Sequence, residues 1–150
     1  MKSILNEDVR KEISSRIDLL NVDSQRQWGK MNVYQMVKHN TDWCVWLFGN
    51  KDIRYKQTFL GKLLGQRILK KLVSNDKPFG KNIPTSPAFV VVENEGDLNK
   101  EKLKWKAYID KFPSFNNPYL VHDFFGKMSK EEVGLIAYKH FDHHLRQFGV

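Results

Sequence analysis

The stretch that most constrains this chain is its last. Ser129-Lys130-Glu131-Glu132 is a capping box, serine followed three residues later by glutamate, and it starts a closing helix through residues 133–148. With Val133 at zero and about 100° per residue, His140 falls at about −20°, His144 at about +20° and Ala137 at about +40°. Ile136 and Phe148 flank them at about −60° and about +60°. So His140 and His144 lie at the centre of the apolar face, one turn apart. Asp142 and Arg146 are expected on the opposite side, towards water, and His143 at the edge of the buried face. Two neutral imidazoles side by side in a core need a reason. A shared metal is the simplest, and a pair of buried histidines hydrogen-bonded to their neighbours is the plain alternative.

A second helix repeats this geometry. Asn32 can cap a helix over 33–48, with Gly49 as its stop. With His39 at zero, Gln35 falls at about −40°, Trp46 at about −20°, Trp43 at about +40° and Met36 at about +60°. His39 is therefore also central on a buried face, between two tryptophans, with Asp42 at that face's edge. In a bundle the two faces point at one another, so His39, His140 and His144 can converge. Three imidazoles on one side of a metal leave its other positions open, the arrangement of a catalytic rather than a structural site. Imidazole suits zinc, nickel, iron and copper alike. Gln35, Asp42 and Gln147 are placed to accept the spare N–H of a ligand imidazole. His122, in an aromatic-rich connection, can reach the site mouth as a proton shuttle or serve the loop's own structure. His143 is expected at the surface or an interface.

The rest of the chain reads as more helix. Asn6 can cap a helix over 7–20 whose stripe is Val9, Ile13, Ile17 and Leu20. Asn21 to Lys30 is polar loop, with Trp28-Gly29 anchoring its end. A basic and apolar stretch carries a helix over 58–73, weakened by Gly61 and Gly65. Such a helix can lie on membrane or nucleic acid, or pack on the bundle with Lys62, Arg67, Lys70 and Lys71 outward. Residues 75–86, with Pro78, Gly80 and Pro84, are loop. Residues 87–92 are extended, and one strand makes no sheet. Asp97 caps a helix over 98–112 with the stripe Leu98, Trp105, Ile109 and Phe112, ended by Pro113. Four amphipathic helices plus one inserted helix predict an all-α bundle, folded as a single domain over residues 1–150.

Composition narrows the function classes. No apolar run approaches the roughly 18 residues that span a bilayer, and the acidic N-terminus lacks a signal peptide's apolar centre. The single Cys44 cannot form an internal disulfide. These features predict a cytoplasmic protein. The net charge of +8 suits nucleic acid, an anionic membrane surface or an anionic small molecule, or is simply a solvated lysine-rich surface. No RNA-binding motif, finger spacing or long basic block is present, so nucleic acid is not expected. Nor is there a nucleophile elbow, phosphate loop or dinucleotide fingerprint. Cys44 lies about 140° from His39 on its helix, which disfavours a Cys/His nucleophilic pair.

The chain resembles the DinB-like superfamily of metal-binding four-helix bundles, in an uncharacterised branch. The likeness rests on Trp28-Gly29-Lys30-Met31, Gln35-Met36-Val37-Lys38-His39, His122-Asp123-Phe124-Phe125-Gly126-Lys127-Met128 and Lys139-His140-Phe141-Asp142-His143-His144-Leu145-Arg146-Gln147-Phe148. It implies a four-helix bundle with an extra inserted helix and long loops. It also implies a histidine triad of His39, His140 and His144 on a divalent metal, with zinc or nickel foremost, and a homodimer. Characterised relatives include transferases and isomerases that use a low-molecular-weight thiol, so the function expected is a thiol S-transferase or hydrolase acting on a small molecule. Many relatives carry His-His-Arg-Gly-Gln near the end. Here Leu145 is inserted, which moves Arg146 around the helix, so no substrate role carries over to it. The rival reading is a non-enzymatic basic binding module for nucleic acid or a membrane surface, with structural histidines.

Overall fold

The computed structural model describes residues 1–51, 53, 55–83 and 85–150. Among these residues it is all-helical, with five α-helices and no strand. Pro84, read above as loop, lies outside the described residues. Helix α1 (Glu7–Leu19) buries Val9, Ile13 and Ile17. Asn6 stands at its cap position, yet its side chain accepts no bond there, and Glu7 and Asp8 face the positive helix end instead. Helix α2 (Val33–Leu47) starts at a full capping box: Asn32 Oδ1 accepts from Gln35 N–H at 2.9 Å and Gln35 Oε1 from Asn32 N–H at 3.0 Å. Gly49 ends it with φ of +77°.

A wide π turn, Gly61–Gly65, leads into the short helix α3 (Gln66–Leu72). Both glycines press on the carbonyl of Phe124, where a Cβ would clash with backbone. The expected helix over 58–73 is therefore partly π-wound, because two close approaches to a neighbouring loop set its pitch. Residues 87–92 do not form a strand. Pro87–Phe89 is a single 3-10 turn, closed by Phe89 N–H donating to Ser86 O at 2.9 Å, and the chain then runs extended without a strand partner. Helix α4 (Leu98–Lys111) is capped by Asp97, whose Oδ1 accepts from Lys100 N–H at 2.9 Å. Helix α5 (Lys130–Gln147) opens on the Ser129–Glu132 capping box.

Helix α2 packs along α4, α4 against α1, and α1 against α5. At the centre Trp105 of α4, Phe141 of α5 and Phe112 are fully buried, with Phe141 edge-on to both at 5.4 and 6.0 Å between ring centres. Edge-to-face packing of this kind adds about 1 kcal/mol per pair beyond the area buried. Helices α2 and α5 meet through side chains across a cavity, and the histidines project there.

One expectation about α5 is corrected. Asp142 does not face water: it is 5% exposed. Arg16 of α1 donates to its Oδ1 at 2.9 Å and Arg146 donates to its Oδ2 at 2.7 Å. The helix is covered on nearly every side, so the wheel's polar side is a second buried face. Lys139 is also buried there, with Nζ donating to Lys77 O at 2.8 Å. Arg146 remains outside, its guanidinium folded back on the helix.

Candidate metal centre

Three imidazoles from two helices crowd one spot. Ring centres are 5.2 Å apart for His39 and His140, 4.9 Å for His39 and His144, and 4.7 Å for His140 and His144. Each ring offers a nitrogen within 4.8 Å of those of the other two. Two nitrogens sharing a zinc ion at about 2.1 Å can be no more than about 4.2 Å apart, so the set is near ligating distance as folded. The i, i+4 spacing puts His140 and His144 on one strip of α5, and the burial of Trp43 and Trp46 turns His39 towards them from α2.

What the other nitrogens do fixes the chemistry. His39 Nδ1 donates to Phe89 O at 3.0 Å. Gln147 Nε2 donates to Trp28 O at 2.8 Å, which orients its amide so that Oε1 accepts from His144 Nδ1 at 2.9 Å. Both rings are thereby held in the tautomer whose open nitrogen is Nε2. His140 stacks on Trp43, ring centres 4.4 Å apart and planes 16° from parallel. Its Nε2 is buried without any hydrogen-bond partner. A buried polar atom without a partner costs about 1–3 kcal/mol. Burial lowers the pKa of all three, well below the ordinary histidine value for His140 and His144, and the neighbouring imidazoles push these two the same way. Phe89 and Gln147 partly oppose that shift for His39 and His144. Near neutral pH the cluster is three neutral imidazoles, the form that binds metal. An orphaned nitrogen, two partnered Nδ1–H groups and an all-nitrogen donor set fit a divalent transition ion.

The cluster opens on a cavity of about 660 Å³, walled by Trp43, Trp46, Tyr55, Phe79, Phe89 and Phe125. His122 lines the same cavity. Its Nδ1 is 2.9 Å from Asp123 Oδ1, which accepts from Phe124 N–H at 2.8 Å. The Phe124 and Phe125 N–H groups lie 3.1 and 3.3 Å from the same Nδ1. Nδ1 therefore accepts from these two N–H groups, which leaves the neutral ring's proton on Nε2. Burial lowers the pKa of His122, and Asp123 opposes it.

The other expected site residues fall apart by role. Gln147 touches His144. Gln35 does not reach His39: its amide is spent on the α2 capping box and on Val91 O and Asn94 Oδ1, at 3.2 and 3.1 Å. Asp42 also makes no bond to His39 and faces Lys51 and Lys38, at 3.4 and 3.8 Å. His143 stands at the edge of the buried face, as its angle on the helix predicts. It is half-buried against Trp28 and Phe79, ring centres 5.8 and 6.2 Å away, and also lines the histidine cavity. Cys44 is fully buried, and burial pushes its thiol pKa well up, so it is inert. Phe89 O and Trp43 as a stacking plate were not assigned these roles from the sequence, and a backbone oxygen leaves no side-chain signal there.

Nothing among curated proteins or solved structures matches the chain. A family model described as "Protein of unknown function (DUF1569)" matches residues 7–149, and the chain belongs to that family.

Proposed function

We propose that this chain is a metal-dependent enzyme of the DinB-like kind, in which His39, His140 and His144 hold a divalent transition ion, zinc or nickel. The observation that carries the reading is the unpartnered, buried Nε2 of His140 beside two imidazoles whose Nδ1 atoms are both tied to oxygen. A structural histidine pair satisfies both nitrogens, whereas this cluster leaves the buried Nε2 of His140 without a partner. Bound there, such an ion supplies Lewis acidity, which lowers the pKa of a low-molecular-weight thiol or of water to near neutrality.

The chain's own residues do the rest. Phe89 O and Gln147 hold two ligand rings in orientation. The aromatic wall binds the apolar part of a small-molecule substrate and excludes water. His122, whose Nδ1 accepts from the Phe124 and Phe125 N–H groups, carries its proton on Nε2 and serves at the cavity wall as a shuttle for the proton of the incoming thiol or water. Thiol transfer or hydrolysis is the reaction class that fits this set. A single four-helix, DinB-like domain, a homodimer and a cytoplasmic location belong to the same reading through the sequence resemblance.

The test is elemental analysis of protein purified without a metal-affinity tag. About one equivalent of a transition metal per chain supports the reading. Less than about a tenth of an equivalent, with no uptake on titration, removes it.

A further inference from the structure

The inserted helix presents its side chains in an unusual distribution. Its buried residues are Gly61, Gly65 and Leu69, spaced four apart, with Leu72 packed partly against the core at the helix end. This narrow strip is fastened to the 122–127 loop. Thr58 N–H donates to Asp123 O at 2.8 Å, Gln57 Nε2 to Phe124 O at 3.0 Å and Gln66 Nε2 to Phe125 O at 2.6 Å. With glycine facing the protein, the bulk of the helix points away from it. Phe59 is 79% exposed, Leu60 56% and Leu63 64%, and Leu64 and Ile68 are also exposed. Five large apolar side chains thus stand in water within ten residues, the opposite of what a helix folded onto a core does.

The same surface is strongly charged in one sense. Lys56, Lys62, Arg67, Lys70 and Lys71 are all exposed, and no Asp or Glu occurs between residues 53 and 75. Cations interleaved with leucines suit one kind of occupant. A second copy would set like charges face to face. Nucleic acid would satisfy the cations but leave the aliphatic Leu60, Leu63, Leu64 and Ile68 with nothing to stack on. An anionic lipid surface satisfies both: the apolar side chains enter the acyl boundary while the long basic stems reach back to the headgroups.

We propose that the segment 56–71 is a membrane-docking element that seats this protein on anionic lipid. It lies in the interface plane and spans nothing. It is independent of the metal site, although its anchoring loop also lines the cavity there.

Flotation of the full chain with lipid vesicles tests this. The chain should float with phosphatidylcholine vesicles containing about one-third phosphatidylserine and remain behind with pure phosphatidylcholine. Raising salt from about 0.1 to about 0.5 M should release it. Phe59→Ser with Leu63→Ser, and separately Lys70→Glu with Lys71→Glu, should each weaken binding about tenfold or more. All four side chains are exposed, so the thermal melt should not move. Native protein that ignores both vesicle types overturns the proposal. So does tighter binding to RNA or DNA than to the anionic vesicles. A solution dimer that the Phe59/Leu63 variant splits, with no vesicle binding by the native chain, assigns the patch to a second copy instead.

Discussion

Helix α5 carries two buried polar clusters on opposite faces. On one, Asp142 takes hydrogen bonds from Arg16 and Arg146, and Arg16 also donates to Val150 O at 2.9 Å, which pins the C-terminus to α1. On the other, His140 and His144 meet His39, and the buried Nε2 of His140 has no partner. Burial is similar and satisfaction is not. A buried charge matched by partners holds a fold together. A buried nitrogen left without a partner is incomplete until something else meets it. The contrast separates the satisfied face of the helix from the unsatisfied one.

Breaking the satisfied cluster should cost stability and nothing else. Asp142→Ala leaves the Arg16 guanidinium, itself largely buried, without its carboxylate. We expect a loss of about 3 kcal/mol in denaturant unfolding, with metal uptake per folded chain unchanged. Breaking the open cluster should do the reverse. His39→Ala and His144→Ala should each lower metal affinity by about a hundredfold or more, equally for the two helices, since a multi-ligand site shares its binding energy among donors. His140→Leu should abolish uptake yet leave the metal-free protein at least as stable, because it removes an orphaned buried nitrogen. A melting temperature that falls with His140→Leu in the absence of metal would mean the cluster is structural after all.

The two faces were not equally legible in the sequence. The histidine face was readable because periodicity alone puts His39, His140 and His144 where leucine is expected. The helix ends were readable too, since Asn32, Asp97 and Ser129 are local capping signals that need no tertiary knowledge. Asp142 was misread because a wheel reports one helix and burial depends on how many neighbours that helix has. Gln35 and Asp42 were misassigned for a related reason: each lies beside His39 in angle, but a capping bond and two lysines claim them first. The carbonyl that does hold His39 belongs to Phe89, fifty residues away in sequence. A backbone oxygen in a 3-10 turn has no side-chain signature at all.

Gln147 joins the two kinds of cluster, for it is fully satisfied and serves the open site. It bridges Trp28 O and His144 Nδ1, so Gln147→Ala should lower metal affinity about 10–100-fold through ring orientation alone. Gln147→Glu keeps an oxygen facing Nδ1 and should retain most of the affinity, measured by chelator competition.

The smallest expected effect is the pH dependence of the metal-free protein. The three clustered histidines have folded pKa values below their unfolded ones, chiefly through burial. The unfolded chain therefore binds more protons, and stability rises with pH. The contribution is complete above about pH 6.5, the unfolded value, and is lost as pH falls through the folded values. Each neutral histidine adds at most about 1.4 kcal/mol per pH unit to that slope. Bound metal competes with the same protons, so metal-loaded protein should hold its melting temperature to lower pH. Removing His140 should flatten the metal-free curve, whereas Asp142→Asn should leave the slope just below pH 6.5 unchanged. Equal slopes for native protein and the His140→Leu variant would show that the imidazoles are not buried in neutral form, and the distinction between the two faces of α5 would fail with them.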